Sequence, residues 1–361
     1  MNRKRNDLKK EPCINKGQVR GDSFSLLYDL IDPHTKENLT VKENILYSTT
    51  HTYKIVCGIP SFISDKEKTV GGGVGQFNEL ADSLLVVKND NPLVGLYNKI
   101  SCSQNRIKFI KKHLKKKVNA KILDIGCGGG RLAILYRKCA SKLIGIDAAL
   151  NSLANAKRTD LYDLLVHCSI ENNPFPDSYF DLIVSSDVLG HTFLETKEKV
   201  YSEMWRMLKP EGIMIHAIET DSINFWIKTA KKNQQLYKTN HIDKPCHIGM
   251  ELPSTIIKRC KDIGFELLDV SKINAIIVPP DSIISWFDGE FDRPLWLNLL
   301  LNVSKIIAYN KYIKHLTNFT LGLIEKPINK VIPMDYTTGL LLCAKRPGGA
   351  CVKQVSADQD C

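Results

Sequence analysis

Asp124, Asp147, His191 and His247 stand in settings that could serve chemistry. Asp124 lies in one short β-rich run, residues 121–125, and Asp147 closes another at 142–146. A carboxylate at a strand end can accept hydrogen bonds from ribose hydroxyls. The histidines follow later apolar runs, and imidazole titrates near neutral pH, so each can receive or orient a proton. Between the two aspartates, residues 121–133 read K-I-L-D-I-G-C-G-G-G-R-L-A. Gly126, Gly128, Gly129 and Gly130 allow positive φ and close backbone approach to a ligand, and a helical pattern opens at Arg131. Free N–H groups at a helix start favour a negative group. The stretch predicts strand, glycine turn and helix around a nucleotide-like ligand.

Spacing narrows the ligand. A dinucleotide fingerprint G-x-G-x-x-G needs Gly or Ala where this chain has Arg131, because helix and strand pack closely there. The run reads instead D-x-G-x-G-x-G from Asp124 to Gly130, and it resembles motif I of class I S-adenosylmethionine-dependent methyltransferases. Residues 169–191, S-I-E-N-N-P-F-P-D-S-Y-F-D-L-I-V-S-S-D-V-L-G-H, are similar to the family stretch that leads into the fourth strand. Residues 205–217, W-R-M-L-K-P-E-G-I-M-I-H-A, resemble the family's helix, Leu-Lys-Pro-x-Gly turn and fifth strand. The apolar runs 265–270 and 338–343 suit its last two strands, an antiparallel pair at the sheet edge.

The resemblance implies an α/β fold with a doubly wound, seven-stranded Rossmann-like sheet and S-adenosylmethionine as cofactor. It implies cofactor contacts from Asp124, Gly126, Cys127, Gly128, Gly130, Asp147, Ala148, Ser169, Ile170 and Ser186. Ser169 takes the place of the usual Asp on the adenine amino group, and Ile170 would lie against the ring. The sulfonium is an activated methyl donor, so the protein chiefly aligns the acceptor and excludes water. His191 and His247 are the candidate acceptor-side bases. Some O-methyltransferases carry E-x-x-E-H at the His191 position and bind a metal through it. Here Asp187, Val188, Leu189 and Gly190 precede His191, the second carboxylate is missing, and no metal is expected.

The 361 residues carry 50 Lys and Arg against 39 Asp and Glu, a formal net charge of +11. That balance permits nucleic acid or an anionic membrane as partner without establishing either. Eleven cysteines with no C-x-x-C spacing exclude a zinc knuckle and a thioredoxin-type pair, and predict reduced thiols in the cytoplasm. The N-terminus lacks a signal-peptide core, and the longest strongly apolar stretch, 294–304, is far short of the roughly 18 residues of a membrane span.

Residues 1–21 read as a basic disordered arm, 22–66 as a small β module, 67–95 as linker and leading helix, 96–345 as the main domain and 346–361 as a tail. The β module is similar to the zinc-ribbon-like domain at the N-terminus of many bacterial methyltransferases, through L-Y-D-L-I-D-P-H-T at 27–35 and Gly58-Ile59-Pro60. Asp32 replaces the cysteine of metal-binding members, so the module is expected to fold without metal. An insertion at 277–333, with Trp286, Phe287, Leu295, Trp296, Leu299 and Ile306, predicts two or more helices packed on the core. A lid, a dimer surface or a peripheral membrane contact is its other reading.

The expected activity is methyl transfer to an O or N atom of a small-molecule, sugar or lipid-linked acceptor. An RNA methyltransferase is the alternative that the net charge and N-terminal module favour. A catalytically silent adenosylmethionine-binding or scaffold subunit is the alternative of another class.

Overall fold

The computed structural model describes residues 25–63, 105–115, 117–273 and 278–349. The basic arm, the linker and leading helix at 67–95 and the last residues of the tail lie outside them. The first element is a four-stranded antiparallel sheet of β1 (Thr40–Lys42), β2 (Ile45–Tyr47), β3 (Thr52–Val56) and β4 (Ile59–Pro60).

A seven-stranded sheet follows: β5 (Ala120–Ile125), β6 (Ala140–Asp147), β7 (Leu164–His167), β8 (Phe180–Ser186), β9 (Leu208–Glu219), β10 (Glu266–Ile273) and β11 (Gly339–Lys345). Its order is β10-β11-β9-β8-β5-β6-β7. Strands β5 to β9 pair in parallel, and β11 runs antiparallel to both β9 and β10. Parallel strands covered on both faces need apolar residues on both, which is why these runs are nearly continuous in Ile, Leu and Val. On β5, Leu123 and Ile125 join one core with Ile144, Ile183, Met204 and Ile256. Ile122 faces the other way, to Leu143, Leu182, Phe109 and Tyr136. That alternation places helices α1 (Asn105–Leu114) and α2 (Ala133–Arg137) on one face. The opposite face is covered by α4 (Lys197–Met207) and α7 (Pro253–Ile263), while α3 (Leu150–Arg158) packs along β7.

Strand order reverses at β5: the chain moves outward to β6 and β7, then returns to place β8 on the other side of β5. A crevice outside the carboxyl ends of β5 and β8 is where such sheets hold ligands. The first helix after the glycine turn departs from expectation. It starts at Ala133 rather than Arg131 and is only five residues long, because Gly130 at φ +79° and a Gly130-to-Ala133 turn hold Arg131 and Leu132 outside it. Any ligand contact there comes from the turn backbone, not from a long helix dipole.

The N-terminal sheet is no separate layer. Leu27, Leu30, Leu46 and Phe62 share the core of Ile146 and Val166, and Phe62 N donates to His167 O at 2.8 Å. Asp32 organises its first loop: its buried carboxylate accepts from His34 N, Thr35 N and Ser48 Oγ and meets His51 Nδ1 at 2.9 Å.

After β9 come α5 (Phe225–Lys231) and α6 (Gln234–Tyr237), and between β10 and β11 the chain forms α8 (Pro280–Phe287), α9 (Leu295–Tyr309) and α10 (Lys311–Val331). Ile283, Phe287, Leu297 and Leu301 form a satellite core with Ala230 and Leu236 of α5 and α6 rather than packing on the sheet. Their outer side exposes Leu295, Leu299, Ile306, Tyr309, Tyr312 and Leu316. Among the described residues, no helix is long and apolar enough to cross a membrane.

Candidate active site

The glycines after β5 differ in what surrounds them. Gly126, at φ +62°, is pressed against the loop after β8: a Cβ there would lie 2.3 Å from Val188 Cγ2. Gly128, at φ +52°, faces open space among the described residues, none of which comes within 4 Å of where a Cβ would be. Its N–H donates to Asp147 Oδ2 at 2.8 Å, and Ala149 N–H donates to Oδ1 at 2.8 Å. The carboxylate that ends β6 is thereby tied to the rim of the open cradle. Gly130 is closed in by Tyr162, 3.1 Å from a would-be Cβ, and the Tyr162 hydroxyl donates to Asp124 Oδ2 at 2.7 Å. Burial pushes the Asp124 carboxyl up to about 7 and the Asp147 carboxyl upward as well.

The N-terminal sheet supports this turn from behind. Ile59 packs with Cys127, Leu153 and Leu165. The carbonyl of Ala148 lies 3.0 Å from His167 Nε2, so that nitrogen carries the proton, and Nδ1 is left to accept from Ser61 Oγ at 2.8 Å. Cys127 is accordingly a buried filler whose thiol burial holds in the neutral form. Ser169 Oγ accepts from Asn172 N at 3.2 Å, Ile170 is buried in the main core, and Ser186 ends β8 half-buried.

At the carboxyl ends of β8 and β9 a second group assembles. His191 ends a 3-10 turn, Leu189–His191, directly after β8, and Glu219 is the last residue of β9. His247 arrives from the loop before α7, and Gly249 makes that approach feasible, since a Cβ on it would fall 1.7 Å from Thr192 O. Gly249 N–H instead donates to Gly190 O at 3.0 Å. His247 Nε2 lies 2.8 Å from Glu219 Oε2, His191 Nε2 lies 3.9 Å from the same oxygen, and the two rings are 5.1 Å apart. His191 Nδ1 is 2.9 Å from the carbonyl of Cys246. A carbonyl only accepts, so Nδ1 bears the proton and Nε2 presents its lone pair toward Glu219 when the ring is neutral. Burial pushes His191 down. Burial would raise Glu219, but the hydrogen bond with His247 and nearby positive charge hold it below its ordinary range. Asp187, one turn before His191, pairs with Arg106 of α1, and burial still pushes it up to about 6.

The structure therefore brings His191 and His247 together, as two separate sequence signals had not required, and adds Glu219, which sequence reading missed. A glutamate closing the apolar run I-M-I-H-A-I-E was the available signal.

A glycine cradle and a strand-end carboxylate at the switch point of an open α/β sheet define a nucleotide-type site. Residues 123–216 match the family described as "Methyltransferase domain", so this stretch is a methyltransferase domain. The chain is 34% identical over 101 residues to the phosphoethanolamine N-methyltransferase of Plasmodium falciparum, covering 27% of this chain and 38% of that protein. It is 33% identical over 97 residues to a malonyl-[acyl-carrier protein] O-methyltransferase of Buchnera aphidicola, covering 27% and 38%. Similarity at 33% over 171 residues, 47% of each chain, links it to the rat mitochondrial arginine-hydroxylase NDUFAF5. The chain thus spans from under two fifths to about half of these relatives' lengths, and the different activities they are named for show that this domain does not by itself fix the reaction. Among solved structures, a Haemonchus contortus phosphoethanolamine N-methyltransferase in complex with S-adenosylhomocysteine is similar at 15% identity and a TM-score of 0.44, over 80% of this chain and 62% of that one.

Proposed function

We propose that this chain transfers a methyl group from S-adenosylmethionine to an O or N atom of a small-molecule, sugar or lipid-linked acceptor. The open cradle at Gly128, with Asp147 tied to its rim, carries the reading. A ligand backbone fits where Cβ space is empty, and a carboxylate has about four lone-pair sites, one beyond those that the Gly128, Ala148 and Ala149 N–H groups use, so Asp147 can accept a ribose hydroxyl. Gly126 holds the turn against the β8 loop. Ser169 Oγ retains a lone pair for the adenine amino group beside its bond from Asn172 N, and Ile170 and Ser186 lie along the same edge. When bound, the cofactor supplies the activated methyl group. On the acceptor side, His191 and His247 receive or orient the acceptor's proton, and Glu219 fixes the His247 ring.

The helices α9 and α10 support a lipid-linked acceptor met at a membrane surface. Leu295, Leu299 and Ile306 of α9, and Tyr312 and Leu316 of α10, are exposed at helical spacing. Lys311 and Lys330 of α10 are exposed as well, Lys305 and Lys314 pair with Asp288 and Asp281, and Glu325, the only acidic residue of the two helices, is buried. An exposed apolar helix face suits a lipid surface better than a phosphodiester strand, whose recognition needs no apolar face. Calorimetric titration with S-adenosylmethionine tests the reading. Binding is expected in the parent and its loss in Asp147→Ala, and an Asp147→Ala protein that is folded and binds unchanged would refute it.

A further inference from the structure

We propose that His191, Glu219 and His247 form a binding site for a first-row divalent transition-metal ion. One nitrogen from each histidine and one carboxylate oxygen lie within 4.8 Å of one another. Metal–ligand bonds of about 2.0–2.2 Å place neighbouring ligand atoms about 2.8–3.6 Å apart in octahedral to tetrahedral geometry, and the observed 2.8 and 3.9 Å to Glu219 Oε2 span that spacing. Closing it takes small rotations of half-buried side chains.

The tautomer is the second observation. Because His191 Nδ1 donates to the Cys246 carbonyl, Nε2 is the nitrogen of the neutral ring that can serve as a ligand, 3.9 Å from Glu219 Oε2. A ligand histidine held from behind by a backbone carbonyl is also the usual outer support of such sites, fixing the ring's orientation. The backbone does comparable work for His247, since Gly249 lets its loop close on Thr192 and Gly190. Without metal, the hydrogen bond between His247 and Glu219 keeps the group assembled.

Two imidazoles and one carboxylate suit zinc, iron(II) or manganese(II), while magnesium and calcium prefer all-oxygen shells. Three protein ligands at a strand-end crevice leave coordination positions for a water or an acceptor oxygen. Metal binding stands independently of the methyltransferase reading. With the ion bound the two histidines would act as its ligands and not as proton acceptors, and that the ion would then polarise the acceptor in their place rests on that reading.

The test uses the full-length chain stripped by chelator and titrated with zinc against a chromophoric competitor, then with cobalt(II) for its absorption spectrum. One equivalent should bind, with cobalt bands free of thiolate charge transfer, since the cysteines offer a rival soft site. Glu219→Gln keeps a hydrogen-bonding oxygen for His247, so it should fold as the parent does yet bind at least tenfold more weakly. His191→Ala and His247→Ala should do the same, and His113→Ala, on α1 far along the chain, should bind like the parent. Absence of zinc binding in the parent, parental affinity in folded Glu219→Gln, or a thiolate band would each overturn the proposal. S-adenosylmethionine titrated into the same samples reports separately, so its failure would count against the proposed activity and not against the metal site.

Discussion

Gly126 and Gly128 are two residues apart and share a left-handed backbone, yet their replacement by alanine should fail in different ways. At φ +62° and +52°, each alanine carries a strain of about 1–2 kcal/mol. For Gly128→Ala that is the whole structural cost among the described residues, because the new methyl meets none of their atoms within 4 Å. For Gly126→Ala the methyl falls 2.3 Å from Val188 Cγ2 and 2.8 Å from Cγ1, and overpacking adds about 1–3 kcal/mol. At roughly 2–4 °C per kcal/mol for a domain of this size, Gly128→Ala should lower Tm by about 2–8 °C and Gly126→Ala by about 4–20 °C. Ligand binding should show the reverse contrast. The Gly128 methyl occupies the cradle itself, so Kd for S-adenosylmethionine should rise at least tenfold, about 1.4 kcal/mol, in a protein that is still folded. Thermal melts and calorimetric titrations on the same preparations check both. Parental affinity in folded Gly128→Ala would refute the cradle, and a Gly126→Ala protein that melts above Gly128→Ala would refute the packing argument.

Asp124 has a folded pKa raised to about 7 by burial, so the stability it contributes is present below about pH 4 and is lost as pH rises toward 7; Asp124→Asn should flatten that part of the stability profile in pH-jump melts. Asp32 is shifted the opposite way by hydrogen bonds from Ser48, His34 and Thr35 that outweigh burial, so its contribution is present above about pH 4 and is lost below it. Asp32→Ala strands these donors and should cost about 3 kcal/mol or more by denaturant titration, with zinc unable to restore the loss. Ile306→Glu paired with Leu316→Glu should abolish co-sedimentation with anionic vesicles while leaving S-adenosylmethionine affinity unchanged. His191→Ala should lower turnover about a hundredfold or more once an acceptor is found, with cofactor binding retained.

What the sequence showed plainly was what local physics decides. The runs that became β5, β8 and β9 are apolar on both faces because the sheet is covered on both, and D-x-G-x-G-x-G marks a turn that only glycine can make at Gly126. The helix onset was misplaced by two residues because propensity at Arg131 and Leu132 does not register the left-handed Gly130 before them. Glu219 escaped notice for a different reason. It stands 28 positions from both His191 and His247, and only the register that brings the end of β9 beside the end of β8 puts them together. His191 and His247 were each legible as strand-edge histidines, but the close pass of Gly249 over Thr192 that unites them is a tertiary fact.

The N-terminal sheet was read as a module of its own, and its apolar pattern could not say otherwise, since a strand's pattern reports that one face is buried and not against what. Leu27, Leu46 and Phe62 prove to be part of the same core as Ile146 and Val166. Ile59 stands behind the cysteine of the glycine turn, and Ser61 reaches Ala148 through His167. Both residues supported in this way flank the site: Cys127 lies between Gly126 and Gly128, and Ala148 follows Asp147. A turn held in left-handed conformations by three glycines has little stiffness of its own, because glycine loses the most conformational entropy when it is fixed. Its order has to come from neighbours. Val188 supplies it on the β8 side and the N-terminal sheet on the other, which gives that sheet a role in holding the glycine turn in place.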